Sequence, residues 1–270
     1  MSSATERVGG SVTDLISRID AGLSAARQVL ERFIPGEVRA QTKSSGDPVT
    51  EADRAVDRIL KRLLVQEGEG WLSEETVDDR RRLERRRVWI VDPLDGTREF
   101  VSGVPEWAVS IGYVVDGVPV AGGVCNPQTG ESFLGGVGFG VRLGGVPVVP
   151  SSRGSLDGAV VLASRSEYRR GEWARFTEGT FEVRPVGSVA YKLALVAAGL
   201  ADATWTLQPK NEWDVAGGIA LILAAGGVAY TPDGTKRSFN SPSTLMDGLI
   251  AHPPSLTESV RSTLGIVPAS

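Results

Sequence analysis

The 270-residue sequence is poor in two side chains that carry much of enzyme chemistry: it has one cysteine, Cys125, and one histidine, His252. A lone cysteine excludes an intramolecular disulfide and suits a reducing compartment. A lone histidine excludes histidine-rich metal sites and Ser-His-Asp triads, which need well-placed imidazoles. His252 precedes Pro253-Pro254 and reads as a surface or structural residue, so any catalytic metal is expected to be held by oxygen. Long apolar runs are missing too. No stretch approaches the ~20 residues of a membrane span, and the most apolar one, Val215–Ala225, is interrupted by Gly217-Gly218. The opening MSSATERVGGSVTDLI has no apolar core flanked by basic residues, so no secretory signal is expected. A net charge of −4 offers no global attraction to nucleic acid or to an anionic membrane. The expectation is a soluble cytoplasmic protein, built as one large domain or as two closely joined halves.

What is present has clear periodicity. Val12, Leu15, Ile16, Ile19, Leu23 and Leu30 recur at helical spacing, and Pro35-Gly36 ends that run. Gln41–Pro48 reads as a loop. Thr50–Gln66 reads as a second helix with Thr50 as N-cap, its apolar stripe being Ala52, Val56, Ile59, Leu60, Leu63 and Leu64. Glu51 and Asp53 in its first turn serve either the helix dipole or chemistry. The six arginines of Asp78–Arg87 sit among acids and favour a solvated connector over a basic groove. Val88–Val91 is a short strand ending on Asp92-Pro93. Between Ala108 and Val149, short β-rich runs separated by Gly, Pro and Asn predict an antiparallel sheet of hairpins. Pro150–Ser155 is the expected boundary between residues 1–150, an α+β half, and residues 151–270, an α/β half. In the latter, strands at Ala159–Ser164, Phe181–Val186, Ala203–Thr206 and Gly227–Tyr230 alternate with helices around Glu167–Phe176, Val189–Ala198 and Trp213–Ala225.

Four acidic clusters frame the chemistry. Asp92 closes an apolar strand, and Pro93 opposes simple continuation of its ladder. Asp95 follows three residues later, with Gly96 and Thr97 at an expected helix start. A strand end followed by a helix start aims two carboxylates at one point and offers free N–H groups of Gly96 and Thr97 to an anion. Carboxylates beside an anion site repel phosphate unless a cation intervenes, and Mg²⁺ takes oxygen ligands and bridges the two. Taken alone, Asp92 and Asp95 are equally a helix cap and a surface charge. Glu74 and Glu75 beside Trp71-Leu72, Asp214 at the start of an apolar helix, and Asp53 are each explained as well by capping as by catalysis. Their combination carries the argument.

The stretches DPVTEAD (Asp47–Asp53), SEE (Ser73–Glu75), WIVDPLDGT (Trp89–Thr97), Gly187-Ser188 and WDVAGG (Trp213–Gly218) resemble, in order, those of the inositol monophosphatase superfamily of lithium-sensitive, Mg²⁺-dependent phosphatases. The resemblance implies an αβαβα sandwich of the inositol monophosphatase and fructose-1,6-bisphosphatase type, an α/β layered fold. It implies phosphate-ester hydrolysis with two or three Mg²⁺ ions, and a homodimer as a fair expectation. By the same resemblance, Glu74, Asp92 and the Leu94 carbonyl hold a first metal, and Asp92, Asp95 and Asp214 a second. A third, looser ion lies near Glu74 and Glu75. The N–H groups of Gly96 and Thr97 hold the phosphate, and Asp53 with the Thr97 hydroxyl orients and deprotonates the attacking water. A catalytically silent phosphometabolite-binding protein on the same scaffold is the alternative of another class.

The ester is less well marked. Arg98-Glu99-Phe100 and Ala163–Ser166 resemble the branch acting on 3′-phosphoadenosine 5′-phosphate, which is the favoured expectation. Thr206 stands where inositol phosphatases usually carry a Glu that holds sugar hydroxyls. Ser102–Val114 and WDVAGG look closer to the inositol branch, which is the alternative. A bisphosphate needs a second anion contact, for which Arg165, Lys192 and Lys210 are candidates. Arg98, Gly187, Ser188 and Thr206 complete the expected substrate contacts. Trp205 is either a base-stacking platform or a buried strand residue.

Overall fold

The structure is a computed structural model that describes residues 11–38, 40–42 and 48–266. Asp47, part of the first matching motif, lies outside the described residues. Helix α1 (Val12–Leu30) starts at Ser11, whose side chain accepts from the Thr13 N–H at 3.1 Å, and buries Leu15, Ile16, Ile19, Leu23, Ala26 and Leu30. The stretch expected to be a loop has a strand at each end, β1 (Gln41–Thr42) and β2 (Pro48–Val49), paired antiparallel. Helix α2 (Glu51–Leu64) is closed by a capping box between Thr50 and Asp53, which fixes its start one turn before the catalytic candidate.

The larger sheet has seven strands: β3 (Gly70–Ser73), β4 (Arg87–Asp95), β5 (Ala108–Val115), β6 (Val118–Asn126), β7 (Glu131–Gly136), β8 (Gly140–Leu143) and β9 (Val146–Val148), in that spatial order. Only β3 and β4 run parallel; the rest form the expected antiparallel hairpins. A short helix α3 (Thr97–Val101) follows β4 directly. Helices α1 and α2 cover one face, around Trp89, Val91, Ile111 and Tyr113. Cys125 is buried in this layer, and burial pushes its thiol up to about 12, so it is inert as a nucleophile.

The smaller sheet comprises β10 (Val160–Ser164), β11 (Glu182–Val186), β12 (Ala203–Thr206), β14 (Val228–Tyr230) and β16 (Leu249–His252), ordered β11-β10-β12-β16-β14. A two-residue pair, β13 (Lys210–Asn211) with β15 (Leu245–Met246), sits apart from it. Helix α4 (Arg165–Arg169) and a 3-10 turn at Ala174–Phe176 replace the single helix expected there; Gly171, at φ +78°, separates them. Helices α5 (Val189–Ala197) and α6 (Glu212–Ala224) lie between the two sheets, sharing a core with Val114, Val124, Leu162 and Ala251. The outer face of the smaller sheet carries Leu256 and Val260, the latter from α7 (Thr257–Leu264). The layers therefore run helix, sheet, helix, sheet, helix.

β16 and α7 are not among the elements that the sequence predicted. All four residues of β16 are buried, so it shows no alternation to read. His252 in β16 is buried: its Nδ1 donates to the Pro253 carbonyl at 2.7 Å, and its Nε2 accepts from the Tyr230 hydroxyl at 2.9 Å. Trp205 is buried and stacks on Trp173 with ring centroids 5.1 Å apart, a core role. In the arginine-rich connector Arg82 is buried, Leu83 and Arg87 are half-buried, and the rest is exposed.

Candidate active site and metal centre

The site begins with an irregularity in β4. Asp92 pairs with Ser110 and Asp95 with Ala108, so three steps along β4 match two along β5. The strand thus continues past Pro93, contrary to the expectation that it stops at Asp92, and absorbs one extra residue as a bulge. Side chains three apart in a regular strand point to opposite faces; the extra residue brings Asp92 and Asp95 to the same one. Asp92 Oδ1 accepts the Leu94 N–H at 2.9 Å, which holds the bulge closed. Gly96 follows at φ +96°, left-handed backbone that glycine tolerates, and turns the chain into α3.

The other half of the acidic wall comes from α6. Its Asp214 is the third residue of the helix and accepts the Asn211 N–H at 2.8 Å in a capping box. It is therefore both cap and candidate ligand. Position along the sheet is set by Gly217: a Cβ there would lie 2.5 Å from Ser110 Oγ and 2.9 Å from the Ile111 carbonyl. A Cβ at Gly218 would lie 2.5 Å from Leu193 Cβ on α5. Only a glycine pair lets α6 slide between β5 and α5 closely enough to bring Asp214 over Asp92.

Glu74, Asp92 and Asp214 each offer a carboxylate oxygen within 4.8 Å of the others. Burial raises the Asp92 pKa well above the usual carboxylate range, and the charges of Glu74, Asp95 and Asp214 raise it further. Burial and then Asp95 and Glu74 push Asp214 up to about 8. Three carboxylates that resist ionising together, with only oxygen donors around them, fit a hard divalent cation, which reverses that repulsion. Asp95 is placed differently: its Oδ2 accepts from Ser188 Oγ at 2.6 Å and from the Ala190 N–H at 2.7 Å, tying it to the start of α5. All four acids line a cleft of about 340 Å³, together with Leu94, Gly96, Thr97, Arg98, Gly187 and Ser188.

Asp53 lies behind this wall, and Glu75 is not among the residues that line the cleft. Asp53 is buried; its Oδ2 accepts from the Thr50 N–H at 2.8 Å and its Oδ1 from the Thr97 hydroxyl at 3.1 Å. Thr97 links it to the cleft, and its hydroxyl also lies 3.1 Å from the Leu94 carbonyl. Burial raises the Asp53 pKa. Sequence reasoning missed Asp57, one helical turn on. Its two oxygens accept from Ser73 at 2.6 Å and Thr76 at 2.7 Å, clamping both ends of the Glu74-Glu75 segment. A signal existed: Asp57 follows Asp53 by four residues, on a helix face otherwise filled by Val56 and Leu60.

The opposite wall holds the cations, and each of three has a partner in the chain. Arg165 donates from Nε to Glu106 Oε2 at 2.9 Å and also through Nη2; the same oxygen accepts the Gly187 N–H at 2.7 Å. Glu106 is a second residue the sequence did not single out. Lys192, expected as a candidate second anion contact, lines the cleft but is buried, with Nζ donating to the Ser188 carbonyl at 2.9 Å and the Val186 carbonyl at 3.2 Å. Burial pulls its pKa down to about 8 against the attraction of Asp95. Lys210 Nζ lies 3.6 Å from Glu167 Oε1. Thr206, expected to touch substrate, is buried behind the cleft lining and donates to Glu167 at 2.5 Å.

The profile of the inositol monophosphatase family matches residues 13–265. This chain belongs to the inositol monophosphatase family. Its members are metal-dependent phosphoric monoester hydrolases, and the acidic wall is where such a metal fits. Inositol monophosphatase 3 of Solanum lycopersicum is 34% identical over 233 residues, which are 81% of this chain and 87% of that protein. The inositol monophosphatase of Thermotoga maritima superposes with a TM-score of 0.81 at 26% identity, covering 93% of this chain and 97% of that one. CysQ of Bacteroides thetaiotaomicron, described as a bacterial member of the inositol monophosphatase family, gives 0.76 at 26% identity over 90% and 98% of the two chains. The comparisons back the inositol branch better than the nucleotidase expectation. No helix among the described residues is long and apolar enough to cross a membrane.

Proposed function

We propose that this phosphatase removes the single phosphate of a small polyol, such as an inositol monophosphate, with Mg²⁺ as its metal. The observation that carries the reading is the contrast across the cleft: acids converge on one side, while Arg165, Lys192 and Lys210 on the other already face carboxylates or carbonyls. A second phosphate, as on 3′-phosphoadenosine 5′-phosphate, would have to displace those partners. The naming of the curated relatives points the same way.

In this reading Glu74, Asp92 and the Leu94 carbonyl would hold one cation, and Asp92, Asp95 and Asp214 a second, with Glu75 available to a looser third. When bound, such cations neutralise phosphate charge and acidify water. The chain does the rest. The N–H groups of Gly96 and Thr97 donate to the phosphate. Asp53 accepts from the Thr97 hydroxyl, so this pair orients the attacking water and receives its proton; burial of Asp53 raises its basicity toward that task. In-line displacement needs positioning and charge rather than a covalent intermediate, which suits a cleft whose wall has no histidine or cysteine.

The test is a substrate panel with Mg²⁺. Inositol 1-phosphate is expected to give a higher kcat/KM than 3′-phosphoadenosine 5′-phosphate, with lithium inhibiting. The reverse order restores the nucleotidase reading. Tight binding of these compounds by calorimetry without phosphate release favours a silent binding protein.

A further inference from the structure

The acids of the metal wall come from separate elements, and a clasp outside the cleft joins two of them. Glu74 lies in the segment after β3, and four residues further on Asp78 begins a turn containing Arg82. Arg82 is 2% exposed and donates in three directions. Its Nε and Nη2 donate to Asp78 Oδ2 at 3.1 and 2.9 Å, its Nη1 to Asn240 Oδ1 at 2.8 Å, and its Nη2 to the Ser241 carbonyl at 3.0 Å. Asn240 returns the contact, with Nδ2 donating to the Arg82 carbonyl at 3.0 Å and the Arg85 carbonyl at 3.3 Å. The residue sits at φ +58°, a left-handed conformation that asparagine adopts more readily than most.

That conformation has a use. It turns two successive amides, those of Asn240 and Ser241, onto one carboxylate: Glu212 Oε2 at 2.7 Å and Oε1 at 2.9 Å. Glu212 is fully buried and opens α6, two residues before Asp214. The chain from Asp78 through Arg82, Asn240 and Glu212 therefore runs from the Glu74 segment to the Asp214 helix without entering the cleft. None of Arg82, Glu212, Asn240 and Ser241 lines the cleft.

We propose that Arg82, Asn240 and Glu212 form a clasp that sets the spacing of Glu74 and Asp214, and so tunes the affinity of the metal centre. The inference rests on the metal-centre reading above. The physical need is plain: carboxylates facing one another at 4.8 Å or less repel until a cation arrives, and a brace outside the cleft adds to the close packing at Gly217 and Gly218 in holding α6 against that push. The clasp holds it with a buried carboxylate in two amides and a buried guanidinium in a fork of acceptors. These are positioning residues: they touch neither substrate nor metal. Their effect appears in how tightly the empty protein takes up metal, not in the rate of the loaded enzyme.

The experiment titrates Mg²⁺ alone into the full-length protein by calorimetry, alongside kcat at saturating Mg²⁺ and the melting temperature of the metal-free protein. Asn240→Gly keeps the left-handed backbone and its two amides but removes the link to Arg82. Asn240→Asp keeps the acceptor for Arg82 Nη1. Glu212→Gln loses one of the two amide contacts. Asn240→Gly and Glu212→Gln are expected to weaken Mg²⁺ binding about tenfold, the lower end of the 10–100-fold seen for residues that orient metal ligands. kcat at saturation should stay within about twofold, and Asn240→Asp should bind Mg²⁺ more tightly than Asn240→Gly. Unchanged Mg²⁺ affinity in Asn240→Gly, with only a lower melting temperature, overturns the clasp and leaves a structural brace. Loss of kcat at unchanged affinity overturns it as well. If Glu212→Gln does not fold, the two Asn240 variants decide the matter between them. Wild-type protein that takes up no Mg²⁺ refutes the metal centre itself, a result separate from a flat variant series on a tight wild type.

Discussion

The two walls of the cleft are built from similar numbers of charged side chains and behave oppositely. On the acidic wall, Asp92 and Asp214 receive backbone amides and face carboxylates. On the basic wall, Arg165, Lys192 and Lys210 are each met by Glu106, by carbonyls, or by Glu167. The first wall brings like charges together in a buried place, so its acids keep their protons unless a cation joins them. On the second, Arg165 and Lys210 meet carboxylates and Lys192 meets carbonyls, so these cations already have partners within the chain. Charge in a pocket thus indicates a ligand only where the fold has left it uncompensated.

The contrast is broken most severely at Asp92. Asp92→Asn should cut phosphate release by on the order of a thousandfold, the several kcal/mol that a metal contributes to a phosphoryl transition state. The same change should raise the melting temperature of the metal-free protein, because it deletes a buried charge among like charges. A drop in both would mean that Asp92 is structural. Gly217→Ala leaves every acid in place but drives a methyl against Ser110 and Ile111. It should displace Asp214 and lower kcat/KM about a hundredfold, as a misplacement near 1 Å does, while costing about 1–3 kcal/mol in stability by denaturant unfolding.

Smaller effects belong to the basic wall. Lys210→Met should lower kcat/KM for inositol 1-phosphate by less than about tenfold, since the lysine is engaged with Glu167. A loss of a hundredfold or more confined to a bisphosphate substrate would show instead that Lys210 reads a second phosphate. The gentlest probe is pH. Asp214 has a folded pKa of about 8 against an ordinary 3.8, so between those values the metal-free fold binds more protons than the unfolded chain. Its melting temperature should therefore fall as pH rises from about 4 to about 8, and saturating Mg²⁺ should flatten that slope. A metal-free protein that gains stability over the range through this site would contradict the acidic wall.

Much of the fold was legible because periodicity survives in long elements. The stripes of α1 and α2, the hairpin run from Ala108, and the helix after Trp213 all carry their pattern in neighbouring residues. The fully buried β16 has no alternation, and the break at Gly171 depends on one backbone angle, so neither could be read. At the site, motif spacing was enough to nominate Asp92, Asp95, Asp214 and Glu74. It was not enough for Asp57, Glu106 or Glu167, whose importance lies in what they hold, and those partners are 16, 59 and 39 residues away for Ser73, Arg165 and Thr206. The same distance explains Lys192: its sequence position says nothing about the carbonyls around its ammonium.

By itself the amino-acid sequence determined that no site built on several histidines or cysteines is available, since it has one of each, and that the acids recur in the order of one phosphatase family. Only the tertiary structure decided which charges are compensated. A bulge turned Asp92 and Asp95 to one face, a glycine pair brought Asp214 over them, and carboxylates from remote segments balanced the cations opposite. Whether a charge is satisfied depends on distances of 3 to 4 Å between residues far apart in the chain, and the fold alone sets those distances.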